Sequence, residues 1–367
     1  MNKVCHWVVL LGCVFLFAAL AVAGESSVES TVQTDPIFGE PYTVQYIDTE
    51  ANNQFPSFHA ALVKYPWKAH IAVPDTIKGG VYPKPAPKAT VLYIHGFNDY
   101  FMQPEMGAKL DSAGYELYAI DLHKYGRAYR QGERIGELMD IAEYYAELDS
   151  AIDIITGKGT NGTEVVLMGH STGGLIALMY AAHREKGQGL SAIVLNSPFL
   201  EMNYGFFARK LALPVLSLVG KYFPSVEIPR GKNTNYGESL HKDYRGEWDY
   251  SLDLKSLGSI PVNMGWIRAI HEAHKFIQNA PGIQTPILVM HSNCSVDEDE
   301  WDERYTHCDG VLNVEHIKEF GATLGPDVTD VEIQDGIHDL ILSGKPVRDN
   351  AYKSIFQFLD KNVPGRH

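Results

Sequence analysis

Short apolar segments alternate with amphipathic segments along most of the chain. The apolar runs predict strands at 44–48, 58–64, 90–94, 116–120, 164–168, 192–195, 286–291 and 328–333. The segments between them predict helices at 104–113, 137–155, 172–184, 314–324 and 347–359. Because short, fully apolar strands separated by helices are typical of parallel sheets covered on both faces, this order predicts an α/β fold with a mostly parallel, eight-stranded sheet.

The alternation breaks from about Phe199 to Ala280, where aromatic residues and prolines are frequent. A helix is predicted there around Gly265 to Gln278, and the rest looks helical or irregular. We therefore predict a core in two parts, residues 24–198 and 284–367, with a mainly helical lid at 199–283 inserted after the sixth strand.

The amino terminus has the pattern of a targeting signal. Lys3 precedes an almost wholly apolar run from Val8, and Ala21-Val22-Ala23 is a small-residue cleavage pattern. We predict a signal peptide at residues 1–23 and export to the periplasm or the extracellular space, with a retained anchor as the alternative. No later segment is long and apolar enough to span a bilayer, so we expect no stable membrane insertion after cleavage.

The charge balance limits the partners. Lys and Arg number 31 against 45 Asp and Glu, which gives a net charge of −14. So acidic a chain should repel phosphate backbones and anionic membrane surfaces, and we expect no nucleic-acid partner. The sequence does not indicate an oligomeric state.

Two of the four cysteines fall within the predicted signal, which leaves Cys294 and Cys308 in the mature chain. In an exported protein two such cysteines are expected to form a disulfide, with two free thiols as the alternative.

A candidate nucleophile lies in Gly169-His170-Ser171-Thr172-Gly173, which follows a predicted strand and opens a predicted helix. In this context the G-x-S-x-G pattern indicates a nucleophile elbow, in which a tight turn exposes the serine hydroxyl. The flanking glycines are needed because a Cβ at either position would clash. We predict Ser171 as the nucleophile.

Two backbone N–H groups are candidates for an oxyanion hole. His95-Gly96-Phe97 ends an earlier apolar strand, and Thr172 directly follows the candidate nucleophile. We predict that the N–H groups of Phe97 and Thr172 converge on a developing oxyanion.

Three segments carry a resemblance to a known family: His95-Gly96-Phe97, the run from Asp121 to Arg127, and Gly169 to Gly174. Together they resemble the α/β-hydrolase superfamily, and within it the serine aminopeptidase S33, monoacylglycerol lipase and lysophospholipase-like group. The resemblance covers about residues 58–361 and is weakest in the lid. One departure is His123-Lys124-Tyr125-Gly126, where this group usually has Arg-Gly-His-Gly.

The superfamily places its catalytic base in a late loop before the final helix, which corresponds here to His338. The acid should follow the strand at 286–291, and the candidates are Asp297, Asp299, Asp302 and Asp309. Asp297 lies at the more usual distance from that strand. We favour Asp309, because it leads straight into a helix, as the acid does in related hydrolases.

The resemblance implies a serine hydrolase that cleaves carboxylic esters through an acyl-enzyme, with no metal or organic cofactor. The lid is expected to line an apolar tunnel for a small-molecule ester or lipid. Its large apolar residues are Phe206, Phe207, Leu211, Leu213, Leu216, Phe223, Trp248 and Trp266. The alternatives are a lysophospholipase or monoacylglycerol lipase proper, an S33-type aminopeptidase, and a non-catalytic binding protein on a hydrolase scaffold.

Overall fold

The computed structural model describes residues 31–67, 86–229, 231 and 233–363. The predicted signal peptide at 1–23 lies outside these residues. Within them, no helix is long and apolar enough to cross a membrane.

A large sheet forms the centre of the fold. In chain order the strands are β1 Gln33–Thr34, β2 Thr43–Asp48, β3 His59–Lys64, β4 Thr90–Ile94, β5 Glu116–Asp121, β6 Val165–His170, β7 Leu190–Asn196, β8 Glu227–Ile228, β9 Val262–Asn263, β10 Ile287–Ser292 and β11 Val328–Ile333. Nine of them form the main sheet in the order β1-β2-β3-β5-β4-β6-β7-β10-β11, while β8 and β9 pair separately. The eight longer strands of this sheet are the eight predicted ones, and β1 is a two-residue edge strand.

The first three strands pair antiparallel, and β3 also meets β5 antiparallel. From β5 to β11 every neighbouring pair is parallel. The carboxyl ends of these parallel strands therefore lie along one edge, which is where ligand sites form in such sheets.

Helices cover both faces of the sheet. In chain order the helices of the described residues are α1 Glu105–Ala113, α2 Tyr145–Thr156, α3 Thr172–Gln188, α4 Leu213–Tyr222, α5 Asn235–Leu240, α6 Met264–Ile277, α7 Val314–Gly321 and α8 Lys345–Asn362. Of these, α4, α5 and α6 lie in the segment between β7 and β10. Along β4, Leu92 and Ile94 pack into a core with α2 and α3, while Val91 and Tyr93 pack into a second core with α1 and α8. Burial on both faces explains why the central strands are continuous apolar runs.

The helix predicted from residue 137 begins later. Asp140 caps a 3₁₀ turn at Ile141–Tyr144 that leads into α2. The Asp140 carboxylate accepts a hydrogen bond from the N–H of Ala142 at 3.0 Å, and Glu143 accepts one from the N–H of Asp140 at 3.0 Å. This capping box stops the helix from extending toward residue 137, and its Asp-x-x-Glu spacing was the signal in the sequence.

The segment predicted as the lid follows β7, the sixth of the eight longer strands, and contains α4, α5, α6 and the β8–β9 ribbon. A π-helical turn at Ala208–Ala212 leads into α4. A Cβ at Gly220 would lie 2.3 Å from the carbonyl oxygen of Met264, so a glycine is needed where α4 crosses the start of α6. Within the insertion α4 therefore packs against α6, and α6 in turn belongs to the hydrophobic core that contains α2 and α3.

His123, where the sequence departs from the family motif, belongs to a buried charged cluster. The His123 ring stacks on Phe58 with centroids 4.1 Å apart and lies 4.8 Å from the Tyr144 ring. Its Nδ1 bonds the Glu147 carboxylate, and its Nε2 lies 3.5 Å from Glu143. Burial opposes the charge, but the two carboxylates outweigh it and raise the pKa of His123 to about 9.

This cluster predicts a pH-dependent contribution to stability. Because the folded-state pKa is raised, the contribution of His123 is complete below the unfolded pKa and is lost as the pH rises through about 9. We expect His123→Gln to lower the free energy of unfolding by ~3 kcal/mol at about pH 6 and by much less at about pH 10. Urea unfolding of both proteins at the two pH values measures this, and an equal difference at both would contradict it.

Candidate active site

A strained turn places Ser171 between β6 and α3. Its backbone has φ 53° and ψ −117°, a conformation that a residue with a side chain rarely adopts. The glycines on either side make the turn possible. A Cβ at Gly169 would lie 2.4 Å from the oxygen of Gly173, and a Cβ at Gly173 would lie 2.2 Å from the oxygen of Ile94. The Ser171 side chain is thereby set at the carboxyl edge of the sheet, where it lines a pocket.

His338 and Asp309 form a buried pair beside the same pocket. The Nδ1 of His338 lies 2.9 Å from Oδ2 of Asp309. The other oxygen of Asp309 accepts hydrogen bonds from the N–H groups of Val311 at 2.8 Å and Leu312 at 2.7 Å. With the Nδ1 proton donated to Asp309, Nε2 is the acceptor of the neutral imidazole. The arrangement is that of a general base held by a carboxylate.

The other three candidate acids lie elsewhere. Asp297 and Asp299 are exposed, and Asp297 lies at the rim of the pocket. Asp302 caps a short turn by accepting a hydrogen bond from the N–H of Arg304 at 2.8 Å. Of these four carboxylates, all within the described residues, the structure places Asp309 against His338.

The predicted disulfide between Cys294 and Cys308 is present. It closes an excursion between the end of β10 and Asp309, with 14 positions separating the two cysteines. The N–H of Asp309 donates to the carbonyl of Cys294 at 2.9 Å, and the N–H of Val296 donates to the carbonyl of Asp309 at 2.8 Å. The bridge and these two bonds hold Asp309 next to the end of β10, and a loop of this length predicts a stabilisation of about 3 kcal/mol.

The candidate oxyanion donors lie on segments that meet at Ser171. Thr172 is the first residue of α3, whose amino terminus favours negative charge. The loop bearing Phe97 passes directly against the nucleophile, since a Cβ at Gly96 would lie 3.3 Å from the Ser171 Cβ. Phe97, Thr172 and Ser171 line one pocket together with His338.

A buried polar network lies behind these residues. The ring of His170 is 4.8 Å from the ring of His338. Asp339, the residue after His338, accepts hydrogen bonds from the Asn196 amide at 2.6 Å and from the Gln103 amide at 3.2 Å. Asp339 therefore fastens the loop of His338 to the end of β7. This role of Asp339 is not predicted by the sequence patterns above, although its position directly after the candidate base is a signal for it.

Asp99, His170 and Asp339 could in principle hold a metal ion, because their ligand atoms lie within 4.8 Å of one another. The Nζ of Lys255, however, lies 2.7 Å from Asp99 and already supplies a positive charge there. Burial lowers the pKa of His170, and His338 and Lys255 lower it further against the opposing Asp339 and Asp99. We interpret the cluster as a hydrogen-bonded network whose cation is Lys255.

The pocket has a volume of about 750 Å³ and is lined by both apolar and polar residues. Its apolar lining comes mainly from the insertion and includes Phe199, Met202, Ala212, Leu213, Leu216, Ile228, Val262, Trp266 and Ile267. Its polar lining includes Asn98, Asp99, Asn233, Lys255, Ser256, Ser259 and Asp297. A pocket with a large apolar lining and a smaller number of polar groups suits a small molecule with an apolar part.

The apolar residues singled out in the insertion divide into three groups. Leu213, Leu216 and Trp266 line the pocket. Trp248 packs away from it and donates its Nε1 hydrogen to the carbonyl of Leu342 at 2.8 Å. The exposed group consists of Phe206, Phe207, Leu211 and Phe223. The sequence could not separate these groups, because the difference depends on how the insertion packs on the core and around the pocket.

Comparison with known proteins places the chain in a family. A family model described as Serine aminopeptidase, S33 matches residues 85–298, which is more than half of the chain. This chain belongs to the serine aminopeptidase S33 family, and it is a serine hydrolase with the α/β-hydrolase fold.

Individual relatives are distant. A monoglyceride lipase of Saccharomyces cerevisiae is 23% identical over 259 residues, which cover 63% of this chain and 79% of that protein. The phospholipase YtpA of Bacillus subtilis is 26% identical over 211 residues, covering 56% of this chain and 74% of that protein. The crystal structure of a soluble variant of the Saccharomyces cerevisiae monoglyceride lipase, bound to a substrate analogue, covers 91% of this chain and 95% of its own, with a TM-score of 0.59 at 16% identity.

Proposed function

We propose that this chain is an ester-cleaving, lipase-like serine hydrolase that acts on small-molecule esters with an apolar acyl group. The observation that carries this proposal is the buried His338–Asp309 pair, whose imidazole lines the same pocket as the strained Ser171. Relatives named as a monoglyceride lipase and a phospholipase support a lipid-like ester as the substrate.

In the proposed acylation step, Nε2 of His338 takes the proton of the Ser171 hydroxyl as the oxygen attacks the ester carbonyl. The N–H groups of Phe97 and Thr172 bind the oxyanion of the tetrahedral intermediate. The intermediate collapses when the bond to the leaving alcohol breaks, and His338 gives its proton to that alcohol. The product left on the protein is an acyl ester of Ser171.

In the deacylation step, His338 takes a proton from water, and the resulting hydroxide attacks the acyl carbonyl. The same two N–H groups bind the second oxyanion, and the acid leaves as Ser171 regains its proton. In both steps Asp309 orients the imidazole and stabilises its cation. Its own two backbone hydrogen bonds keep it from turning away from His338.

The insertion supports an apolar substrate. Besides the apolar pocket wall, it exposes Tyr204, Phe206, Phe207, Leu211, Val215, Leu218, Val219, Tyr222, Phe223 and Val226. Part of the surface of the insertion is thus apolar, which is consistent with a protein that meets apolar substrates. We propose residues 199–283 as a lid over a core formed by residues 24–198 and 284–367.

We also propose that the protein is exported, with residues 1–23 removed as a signal peptide. The amino-terminal pattern supports this, and so does a disulfide, because disulfides persist in oxidising compartments.

Replacement of the nucleophile tests the proposed function. Ser171→Ala should abolish hydrolysis of nitrophenyl esters while leaving the melting temperature close to that of the wild type, because the pocket keeps its shape. The assay panel includes esters of increasing chain length, a lysophospholipid and aminoacyl amides. Turnover of an ester by Ser171→Ala at the wild-type rate, or wild-type turnover of the amides alone, would contradict the proposal.

The apolar wall predicts how acyl length is selected. Leu216 on α4 lines the pocket, whereas Leu218 on the same helix is 57% exposed. We expect Leu216→Trp to lower kcat/KM for long acyl esters by about 10-fold or more relative to short ones, because the indole fills space needed by the chain. Leu218→Trp is the matched control and should leave this ratio unchanged. An equal loss for short and long esters in Leu216→Trp would show that the acyl chain lies elsewhere.

A further inference from the structure

The loop that follows β4 carries the proposed donor Phe97 and is bound by the insertion through Asn98. The Asn98 amide nitrogen donates to the carbonyls of Ser256 at 3.0 Å and Gly258 at 3.1 Å. The Asn98 amide oxygen accepts from the N–H of Ser256 at 3.3 Å. Asn98 has φ 52°, so this side chain holds a backbone conformation that is unfavourable by itself. The loop thus depends on residues of the insertion for its shape.

A second connection is the ion pair between Asp99 and Lys255. The Nζ of Lys255 lies 2.7 Å from Oδ1 of Asp99, and the two residues are 7% and 1% exposed. Burial opposes ionisation of Asp99, but Lys255 is the main charge that holds the pKa of this carboxyl below its usual range. The other oxygen of Asp99 accepts a hydrogen bond from the N–H of Gly96 at 3.3 Å. One carboxylate therefore joins Lys255 to the residue that precedes Phe97.

The peptide that bears the Phe97 N–H is held by a separate contact with His95. Its carbonyl is that of Gly96, which accepts a hydrogen bond from Nδ1 of His95 at 2.7 Å. The Nε2 of His95 accepts from the N–H of Leu122 at 3.1 Å, which fixes the tautomer with the proton on Nδ1. In a trans peptide the N–H points away from the carbonyl, so the bond from His95 restricts the direction of the Phe97 N–H. The bond from the N–H of Gly96 to Asp99 restricts the peptide immediately before it, so both contacts contribute to that direction.

A contribution to the stability of the fold does not by itself explain why Asp99 and Lys255 form a buried ion pair. A buried ion pair is often no more stabilising than two packed apolar side chains of similar size, because both charges lose their water. An apolar pair, however, could not accept the N–H of Gly96 and so could not orient the peptides around it. Orientation matters here, because an oxyanion donor works only at hydrogen-bond distance from the developing charge.

We propose that Lys255 is a positioning residue for the ester-cleaving reaction: through Asp99, it keeps the N–H of Phe97 directed at the carbonyl oxygen that becomes the oxyanion. The inference rests on the proposed function and adds a residue of the insertion to it. Because the contact with the oxyanion strengthens in the transition state, loss of Lys255 acts on kcat and leaves substrate binding almost unchanged.

A double variant that replaces both charged residues by apolar ones tests whether Lys255 positions the donor or only stabilises the fold. The double variant Lys255→Met/Asp99→Leu leaves neither charge buried alone, so the protein should fold. Its kcat for a nitrophenyl ester should nevertheless fall about 10- to 100-fold, with KM within about threefold of the wild type. Lys255→Arg keeps the charge and should retain a kcat within about threefold of the wild type. The matched control is Lys242→Met, which breaks an exposed pair with Asp249 in the same insertion and should leave kcat unchanged.

A second variant keeps the inference testable if the double variant does not fold. Lys255→Gln removes the charge that faces Asp99, while its amide still offers a hydrogen-bond donor to that buried carboxylate, and it should also lower kcat with little change in KM. A wild-type kcat in either folded variant, or a rise in KM as large as the fall in kcat, would overturn the role of Lys255. These outcomes require an active wild type, whereas a wild type without Ser171-dependent turnover would overturn the proposed function itself.

Discussion

The close approach of two backbones at one edge of the sheet is the constraint on which the site depends. The first turn of α3 lies so near the end of β4 that Gly173 has no room for a Cβ against the carbonyl of Ile94. This contact brings the strained Ser171 and the loop of Phe97 together at the same edge. The strain, which costs on the order of 1–3 kcal/mol, is held by the parallel strands and the helices on both faces of the sheet.

Local sequence patterns were enough to predict the strands of the sheet and the turn at Ser171. The apolar runs located all eight longer strands of the main sheet, because strands buried on both faces need apolar residues at every position. The G-x-S-x-G pattern between a strand and a helix predicted the turn at Ser171, because the backbone around the turn leaves no room for a Cβ at either glycine. The prediction of a helix from residue 137 was wrong at its start. It followed the hydrophobic periodicity, whereas the capping box at Asp140 marks where the helical residues begin.

The supporting network could not be predicted in this way. Asn196 and Asp339 meet across 143 positions of the chain, and Asp99 and Lys255 meet across 156. Such pairs leave no periodic pattern, because their partners are chosen by tertiary packing. The departure at His123 was visible in the sequence, but its interpretation as a buried imidazolium required Glu143 and Glu147 to be seen beside it.

The central claim is that Asp309 and His338 activate Ser171, and covalent labelling tests it most directly. Intact-mass spectrometry of the protein treated with a fluorophosphonate should show one adduct, which peptide mapping places on Ser171. Asp309→Asn should label at least about 10³-fold more slowly, because the imidazole then loses its orienting carboxylate. Asp302→Asn, at another carboxylate of the same acidic loop, should label at the wild-type rate. An adduct on a different residue, or Asp309→Asn labelling as fast as the wild type, would contradict the account.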